Sequence, residues 1–423
     1  MSEKLVFADM ASLDTNDERL RSFHKQFLDD LYVKRKHNLH SGTLYALEHQ
    51  IDRCAKKFAI NQNADRLEQK AYDDFIILND KAGSTVPNLD PVVASDARHF
   101  IAVALERFTS RNSKGAVQQC LDVDLLMSLW RHGPGSSAGI KGTHFVSKIL
   151  SRKQTVTRRC LPYAVLMAKY NPRLVSIYGE KGVGLEVLEG SRLSTVPKNE
   201  ETHRTTAKEP LWNMALQLAA GAYIEGALHG VGLDLSKQPE QNKLLAEISS
   251  RNGELATLDL KSASDLISPA LIKAVWPCEW YELFMIARSE RCYVPSYGWV
   301  VLNMMSTMGN GFTFPMMTLT LLALVYGSQS YRSKRSMYWD PETTAVFGDD
   351  IIVPTQDYER VVETLHRAGL IVNLDKSYST GFFRESCGGD YFDGYNVTPI
   401  YVKSLRSDPE IYSALNRVLE WSA

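Results

Sequence analysis

A chain of 423 residues, 44% hydrophobic and 23% charged, has the make-up of an ordinary globular protein with room for two or three subdomains. Its net charge of −1 excludes a polycation, so any nucleic-acid site must be a local patch; the longest apolar run, 314–326, is broken by Pro315 and two threonines and is too short to span a bilayer. Six cysteines without a C-x-x-C pair indicate neither zinc nor a disulfide framework, and an N-terminus without a signal pattern leaves a reducing cytosol as the expected compartment.

Residues 1–80 are charge-rich with a helical pattern, which predicts a solvated scaffold. After the break at Pro87 to Pro91, Ser95 reads as the N-cap of a helix with Phe100, Ile101, Ala104, Leu105 and Phe108 on one face. From Leu125 to Gly179 there is no Asp or Glu. The same window holds Arg131, Lys141, Lys148, Arg152, Lys153, Arg158, Arg159, Lys169 and Arg173. A one-sign segment in a near-neutral chain predicts an anion-binding face, with Lys148, Arg152, Lys153, Arg158 and Arg159 as RNA-binding candidates. Tyr163, Tyr170 and Tyr178 are interleaved for stacking on bases. The alternative is a basic segment paired with acids elsewhere in the chain.

Between Thr195 and Pro210, Lys198, Arg204 and Lys208 lie six and four residues apart on a Pro-bounded finger and could reach one triphosphate. Trp212 to Gly230 has the pattern of a core helix. Leu255 to Leu258 reads as a strand that puts Asp259 at its end, and Asp265 fits the N-cap of a helix after Ser268. Gly309-Asn310-Gly311 forms a loop before the apolar helix 316–325, where glycine on both sides lets backbone approach a ligand closely.

Thr344 to Pro354 then shows apolar runs on both sides of Gly348-Asp349-Asp350, the pattern of two short strands and a tight turn. Two like charges about 4 Å apart repel by roughly 1 kcal/mol in water and about 4 near a protein surface, so the placement calls for a cation. Oxygen-only ligands suit Mg²⁺. Alone, Gly-Asp-Asp is also an ordinary turn. Beyond it the pattern predicts a helix over 358–370, a strand-like stretch over 371–381 and a hairpin over 391–402. Asp408 and Pro409 would be the N-cap and first residue of a last helix with Ile411, Leu415, Val418 and Leu419 on one face.

The basic finger, Asp259 with Asp265, the Gly-Asn-Gly loop, Gly-Asp-Asp and Lys376 follow the order of motifs F, A, B, C and D in viral RNA-dependent RNA polymerases. The stretches around Val196 to Asn199, Glu209 to Met214, Ser262 to Asp265, Ser306 to Phe314, Phe347 to Ile352 and Phe383 to Gly388 resemble the replicase β subunit of the single-stranded RNA bacteriophages. The likeness runs over about residues 190–420; the first 120 share only length and helical character.

This resemblance implies an α+β right-hand fold of fingers, palm and thumb, with an antiparallel palm sheet backed by helices. The expected divisions are a helical region bridging fingers and thumb over 1–120, fingers over 121–254, palm over 255–402, and the start of a short or truncated thumb over 403–423. It implies two Mg²⁺ ions, with Mn²⁺ as a substitute, on Asp259 and Asp349 with Asp350 in support. Lys198, Arg204 and Lys208 would hold the nucleotide phosphates, Lys376 would be the acid for pyrophosphate, and Asp265, Ser306 and Asn310 would recognise the ribose 2′-hydroxyl. The second motif A carboxylate often lies five residues after the first; here Ser264 holds that place and Asp265 lies one further on. Implied partners are a single-stranded RNA template, NTPs, host elongation factors Tu and Ts and a ribosomal small-subunit protein, with no membrane, in the cytoplasm of an infected bacterium. Competing readings are a reverse transcriptase, a polymerase of a related capsidless RNA virus, a metal-dependent nuclease and a non-catalytic RNA-binding relative. The intact set Asp259, Asp349, Asp350 and Lys376 speaks against the last.

Overall fold

The computed structural model of the chain describes residues 15–35, 39–53, 64–112, 120–151, 153–170, 184–198, 202–330, 339–402 and 404–422. Helices α1 (Thr15–Arg35), α2 (Ser41–Arg53), α3 (Ala64–Ser84) and α4 (Pro91–Asn112) open the chain. α5 (Val123–Ser128), α6 (Phe145–Ile149) and α7 (Leu161–Lys169) accompany the parallel pair β1 (Lys153–Thr157) and β2 (Gly184–Leu188). A hairpin of β3 (Ser191–Pro197) and β4 (His203–Lys208) leads to α8 (Leu211–Gly230) and α9 (Gln238–Asn252). Then come β5 (Leu255–Leu258), α10 (Ala263–Leu266), α11 (Pro269–Val275), α12 (Cys278–Ala287), β6 (Arg291–Val294), β7 (Gly298–Val301) and α13 (Thr313–Ser330). The chain continues through β8 (Ala345–Phe347), β9 (Asp350–Pro354), α14 (Tyr358–Arg367), β10 (Phe383–Ser386), β11 (Gly389–Phe392), β12 (Tyr395–Asn396) and α15 (Asp408–Ser422).

Two sheets position the site. β5, β9 and β8 form an antiparallel sheet in that order, and β4, β3, β6 and β7 form a second in which β3 runs parallel to β6. Ile351, Ile352 and Val353 of the central β9 are all fully buried. A continuous apolar run, rather than an alternating one, is what a strand covered on both faces requires. α13 is apolar all round and correspondingly buried, packing on α4, α8 and α14. Gly327 permits one of these contacts: a Cβ there would lie 2.7 Å from the Val93 carbonyl oxygen. No described helix is long and apolar enough to cross a membrane.

Several element boundaries differ from those the sequence predicts. Asp90, not Ser95, caps α4, its Oδ1 accepting from the Val92 and Val93 amides at 2.8 and 3.4 Å. Ser268, not Asp265, caps α11, its Oγ accepting from the Leu271 amide at 3.1 Å. Residues 371–381 are not a strand; isolated bridges Leu260–Val372 and Thr257–Tyr378 tie them to the β5 side, around a 3₁₀ turn at Leu374–Lys376. The last hairpins come earlier than 391–402, at β10–β11 and β11–β12. Both turn on residues with positive φ, Cys387-Gly388 and Asp393-Gly394, as tight two-residue hairpins demand. In α15 the first i→i−4 bond runs to the Ser407 carbonyl, one residue before the predicted cap, and Glu410 accepts from the Arg406 and Ser407 amides. Its apolar residues Ile411, Leu415 and Leu419 are exposed.

Candidate active site

The register of the β5–β9–β8 sheet brings the three carboxylates together. Leu258 pairs with Ile351, so the next residue, Asp259, comes level with Asp350 at the start of β9. Phe347 pairs with Asp350, leaving Gly348 and Asp349 as the whole turn. Gly348 has φ +61° while Asp349 keeps a negative φ, the pattern of a type II′ hairpin turn. A side chain is excluded there on two counts, since a Cβ would also stand 2.7 Å from the Phe314 ring. The Gly348 amide donates to Thr318 Oγ1 at 3.1 Å, which fixes the turn to α13.

Each carboxylate has its own support. Asp259 Oδ2 accepts from Asn373 Nδ2 at 2.7 Å, its amide donates to Ser377 Oγ at 3.1 Å, and its carbonyl accepts from the Asn373 amide at 2.8 Å. Asp350 Oδ1 accepts from the Cys387 amide at 3.1 Å. Lys376 Nζ lies 4.0 Å from Asp259 Oδ2 and 3.6 Å from Glu385 Oε1. Asp349, at the tip of the turn, has its own backbone amide as hydrogen-bond donor.

These groups line one cleft of about 360 Å³, together with Lys198, Arg204, Arg53, Asp390 and Tyr401. Burial raises the Asp349 carboxyl above its ordinary value, and the charge of Asp259 adds to it. Burial, reinforced by Asp349 and Asp259 and only partly offset by the Cys387 amide, pushes Asp350 up to about 7. Glu385 is raised by burial and by Asp390. Lys198 is lowered by burial and by Arg204 and Lys376. For Lys376, burial pulls down, but Glu385 and Asp259 outweigh it and the ammonium is held above its usual range. The cleft thus holds more negative charge than its own cations relieve.

Among the described residues no three His, Cys, Asp or Glu side chains converge as a ready-made metal cage. The oxygen donors Asp259 and Asp349 nevertheless fit Mg²⁺, which usually takes one or two carboxylates and completes its shell with water and substrate phosphate. Burial of paired carboxylates without enough compensating charge is the chemistry such an ion relieves.

The phosphate and ribose candidates divide. Lys198 and Arg204 enter the cleft from the β3–β4 hairpin, whose turn is closed by the Lys198 amide donating to the Thr202 carbonyl at 3.0 Å. Lys208 does not join them. It sits at the far end of β4, opposite Arg192, four residues or about 13 Å along the strand from Arg204. Asp265, Ser306 and Asn310 do not line the cleft either. Asp265 lies in α10, raised to about 6 by burial. The loop that carries Ser306 and Asn310 is pinned beside the hairpin, with the Ala207 amide donating to the Met308 carbonyl at 2.8 Å and Gly309 at φ +99° against the Ala207 carbonyl. Asn310 is buried with Oδ1 accepting from the Phe312 amide at 3.1 Å, and the buried Ser306 Oγ has no partner among the described residues.

In the basic segment one candidate, Lys148, is contradicted. Lys148 is fully buried and donates to the Gly133 carbonyl at 2.6 Å, so it presents no charge to an RNA. Lys153 pairs with Glu186 at 3.5 Å and Arg159 with Glu290 at 2.9 Å. Both acids lie outside the acid-free window, which is the alternative that the sequence left open. Arg158 is exposed; Arg152 and Tyr178 lie outside the described residues. Tyr170 is bonded to Asp124.

Sequence reasoning assigned no role to Asn373, Ser377, Glu385 or Arg53. Glu385 sits in a stretch that carries the family likeness and was open to inspection as a carboxylate near the end of a strand. Asn373 and Ser377 flank Lys376 in sequence, but their bonds to Asp259 depend on the irregular path of 371–381. Arg53 carries no sequence signal.

A family model described as RNA replicase, beta-chain, matches residues 46–423. The RNA-directed RNA polymerase beta chain of Enterobacteria phage fr is 38% identical over 278 residues, 65% of this chain and 49% of that protein. The corresponding chain of Escherichia phage MS2 is 36% identical over 279 residues, again 65% and 49%. The RNA-directed RNA polymerase subunit beta of Qbeta virus (strain MX1) is 38% identical over 229 residues, 54% of this chain and 38% of its own. The chain therefore spans about half the length, or less, of the curated relatives it matches. Among solved structures, the RNA-dependent RNA polymerase of a human picobirnavirus superposes with TM-score 0.53 at 11% identity, covering 96% of this chain and 78% of that one. That likeness shows the fold: an α+β right-hand polymerase architecture.

Proposed function

The chain belongs to the RNA replicase beta-chain family, and from that premise we propose that it copies a single-stranded RNA phage genome by RNA-templated RNA synthesis from NTPs. The observation that carries this reading is the convergence of Asp259, Asp349, Asp350, Lys376, Lys198 and Arg204 on one cleft, from four separate stretches of chain.

In the reaction the 3′-hydroxyl of the growing strand attacks the α-phosphorus of the NTP. An O–P bond forms, the bond to the bridging oxygen of the leaving pyrophosphate breaks, and the hydroxyl proton passes to solvent water. Lys198 and Arg204 take the β- and γ-phosphates and offset the charge that grows there. Lys376, kept protonated by Glu385 and Asp259, is the group able to return a proton to pyrophosphate. Asp259 and Asp349, with Asp350 in support, would hold the two Mg²⁺ or Mn²⁺ ions, which when bound supply a more acidic 3′-hydroxyl and neutralise the triphosphate. The Ser306 hydroxyl, without a partner among the described residues, and Asn310, on a loop pinned to the phosphate-binding hairpin, support recognition of the ribose 2′-hydroxyl, with Asp265 of α10 as the third candidate.

In this reading residues 1–120 bridge fingers and thumb, 121–254 form the fingers, 255–402 the palm and 403–423 the start of a thumb. The host elongation factors Tu and Ts, a ribosomal small-subunit protein and the cytoplasm of the infected bacterium complete it. The test is synthesis on a single-stranded RNA template with NTPs and Mg²⁺, by the chain alone and with bacterial extract, against Asp349→Ala. Product that vanishes in the variant is expected. Product that persists would remove Asp349 from the reaction, and a requirement for extract would support host subunits.

A further inference from the structure

Helix α2 belongs to a region whose sequence predicts only scaffold, yet its last residue, Arg53, lines the same cleft as the catalytic carboxylates. The helix is held there by specific polar contacts and a ring stack. The side-chain amide of the fully buried Gln50 makes both main-chain bonds to Ile400, donating to its carbonyl at 3.0 Å and accepting from its amide at 2.7 Å. His49 Nε2 meets Asp390 Oδ2 at 2.6 Å, with both side chains buried. One turn earlier, Tyr45 stacks on Phe392 with ring centroids 4.0 Å apart and planes within 7°. Buried polar bonds of this kind fix rotation about the helix axis as well as position, because a half-made network is costly. Arg53 is four residues after His49 and three after Gln50, so it projects from the face they fix. The clamp that fastens α2 to residues 389–401 therefore aims Arg53.

The cations of the cleft fall into two groups. Lys198 and Arg204 come from the β3–β4 hairpin, and the charge of Arg204 acts on Asp349. Arg53 comes with Tyr401, Thr398 and Pro399 on another wall, where it is bonded to the Tyr401 phenol and its charge acts on Glu385 and Tyr378. In-line displacement puts the attacking oxygen and the leaving group on opposite sides of the phosphorus. If Lys198 and Arg204 take the leaving phosphates, the second wall faces the strand that brings the attacking hydroxyl.

Resting on the polymerase reading above, we propose that Arg53 binds the last internucleotide phosphate at the 3′ end of the growing RNA strand, and so positions the attacking 3′-hydroxyl. It is a positioning residue delivered to the palm by the N-terminal helical region. A guanidinium suits this task, since it presents paired donors to phosphate oxygens.

The test measures binding of a short RNA primer–template duplex in two forms, one natural and one with an uncharged methylphosphonate at the last primer linkage. It uses the unmodified protein, Arg53→Ala and Arg53→Lys, each checked for an unchanged melting temperature. Arg53→Ala should weaken natural duplex about tenfold, the scale of one charge-assisted hydrogen bond. The methylphosphonate should weaken the unmodified protein by a similar factor and leave Arg53→Ala unaffected, with Arg53→Lys between. In primer extension the apparent KM for primer should rise while the KM for NTP holds. Independent, additive losses, an unchanged affinity in a folded Arg53→Ala, or a KM rise confined to NTP would each overturn the assignment. A normal binding cycle from protein that makes no RNA would instead sink the polymerase reading and leave the phosphate contact standing.

Discussion

Like charges lie side by side in two regions of this molecule. At the β8–β9 turn, Asp349 and Asp350 are joined by Asp259 from β5, and the nearby cations leave the carboxyls of Asp349 and Asp350 raised. In the 125–179 segment, Lys153 and Arg159 are met by Glu186 and Glu290, and Lys148 is taken inside by the Gly133 carbonyl. The hairpin carboxyls stay raised in spite of Lys376 and Arg204, while Lys153 and Arg159 are each met by an acid from outside the segment. A run of one sign in sequence says little by itself; charge that remains uncompensated after folding is what marks a site.

The sharpest way to break this contrast is to remove one charge from each region. Asp349→Ala should reduce RNA synthesis by about 10²–10³-fold or more, the loss typical when a group acting on developing charge is deleted. It should leave the fold intact, because it also removes a half-buried carboxylate whose charge is disfavoured by burial and by Asp259. Arg159→Ala, which removes an exposed ion pair worth about 0–1 kcal/mol, should change synthesis by less than twofold. Comparable losses in steady-state rate would erase the distinction.

A second, smaller effect follows from the raised carboxyl of Asp350. Its ordinary value is 3.8 and burial pushes it to about 7, so over this interval the folded state binds more protons than the unfolded one. Stability then falls as pH rises. Without divalent ions, the melting temperature should drop between about pH 4 and 7, and Asp350→Asn should flatten that drop. Mg²⁺ should restore more stability at pH 7 than at pH 5. A metal-free protein that gains stability across this interval would show that the carboxylates are compensated after all.

What the sequence makes legible follows the same line. The hairpin, β5 and the helices α8 and α13 are readable because their apolar patterns are local and their partners neutral. Asp259 and Asp349–Asp350 are readable as a set because short strands end at them. Lys208 misleads because spacing along the chain does not reveal where a strand leaves the cleft. The path of 371–381 is hidden: Asn373 and Ser377 bond to Asp259 through irregular backbone, which has no periodicity to detect. Arg53 is invisible because its place depends on a clamp to residues some 340 to 350 positions away.

Lys148 offers a measurement inside the second region alone. Lys148→Met keeps length and apolar bulk but removes the donor to the Gly133 carbonyl. The loss should appear as about 1–3 kcal/mol of stability, the cost of leaving a buried acceptor unmet. RNA affinity and its dependence on salt should stay the same. A changed salt slope with unchanged melting would place the ammonium outside, against the geometry.

Arg158 is where the smallest and most discriminating effect is expected. It is exposed and in no ion pair among the described residues, next to Arg159, which is paired with Glu290. A free arginine that meets a phosphate releases a counterion on binding, and each such contact to a single strand contributes about 0.7 to the slope of log K against log salt. A paired arginine must first give up its carboxylate, so its share is smaller. Arg158→Ala should therefore lower the slope by about 0.7 if this face touches RNA at all, with Arg159→Ala lowering it less. Equal effects would mean that Glu290 yields its partner to RNA, and the segment would count as a site in spite of its internal pairing. No effect from either would leave the β8–β9 cleft, with its unrelieved carboxylates, as the place where charge in this region of the fold is kept for a ligand.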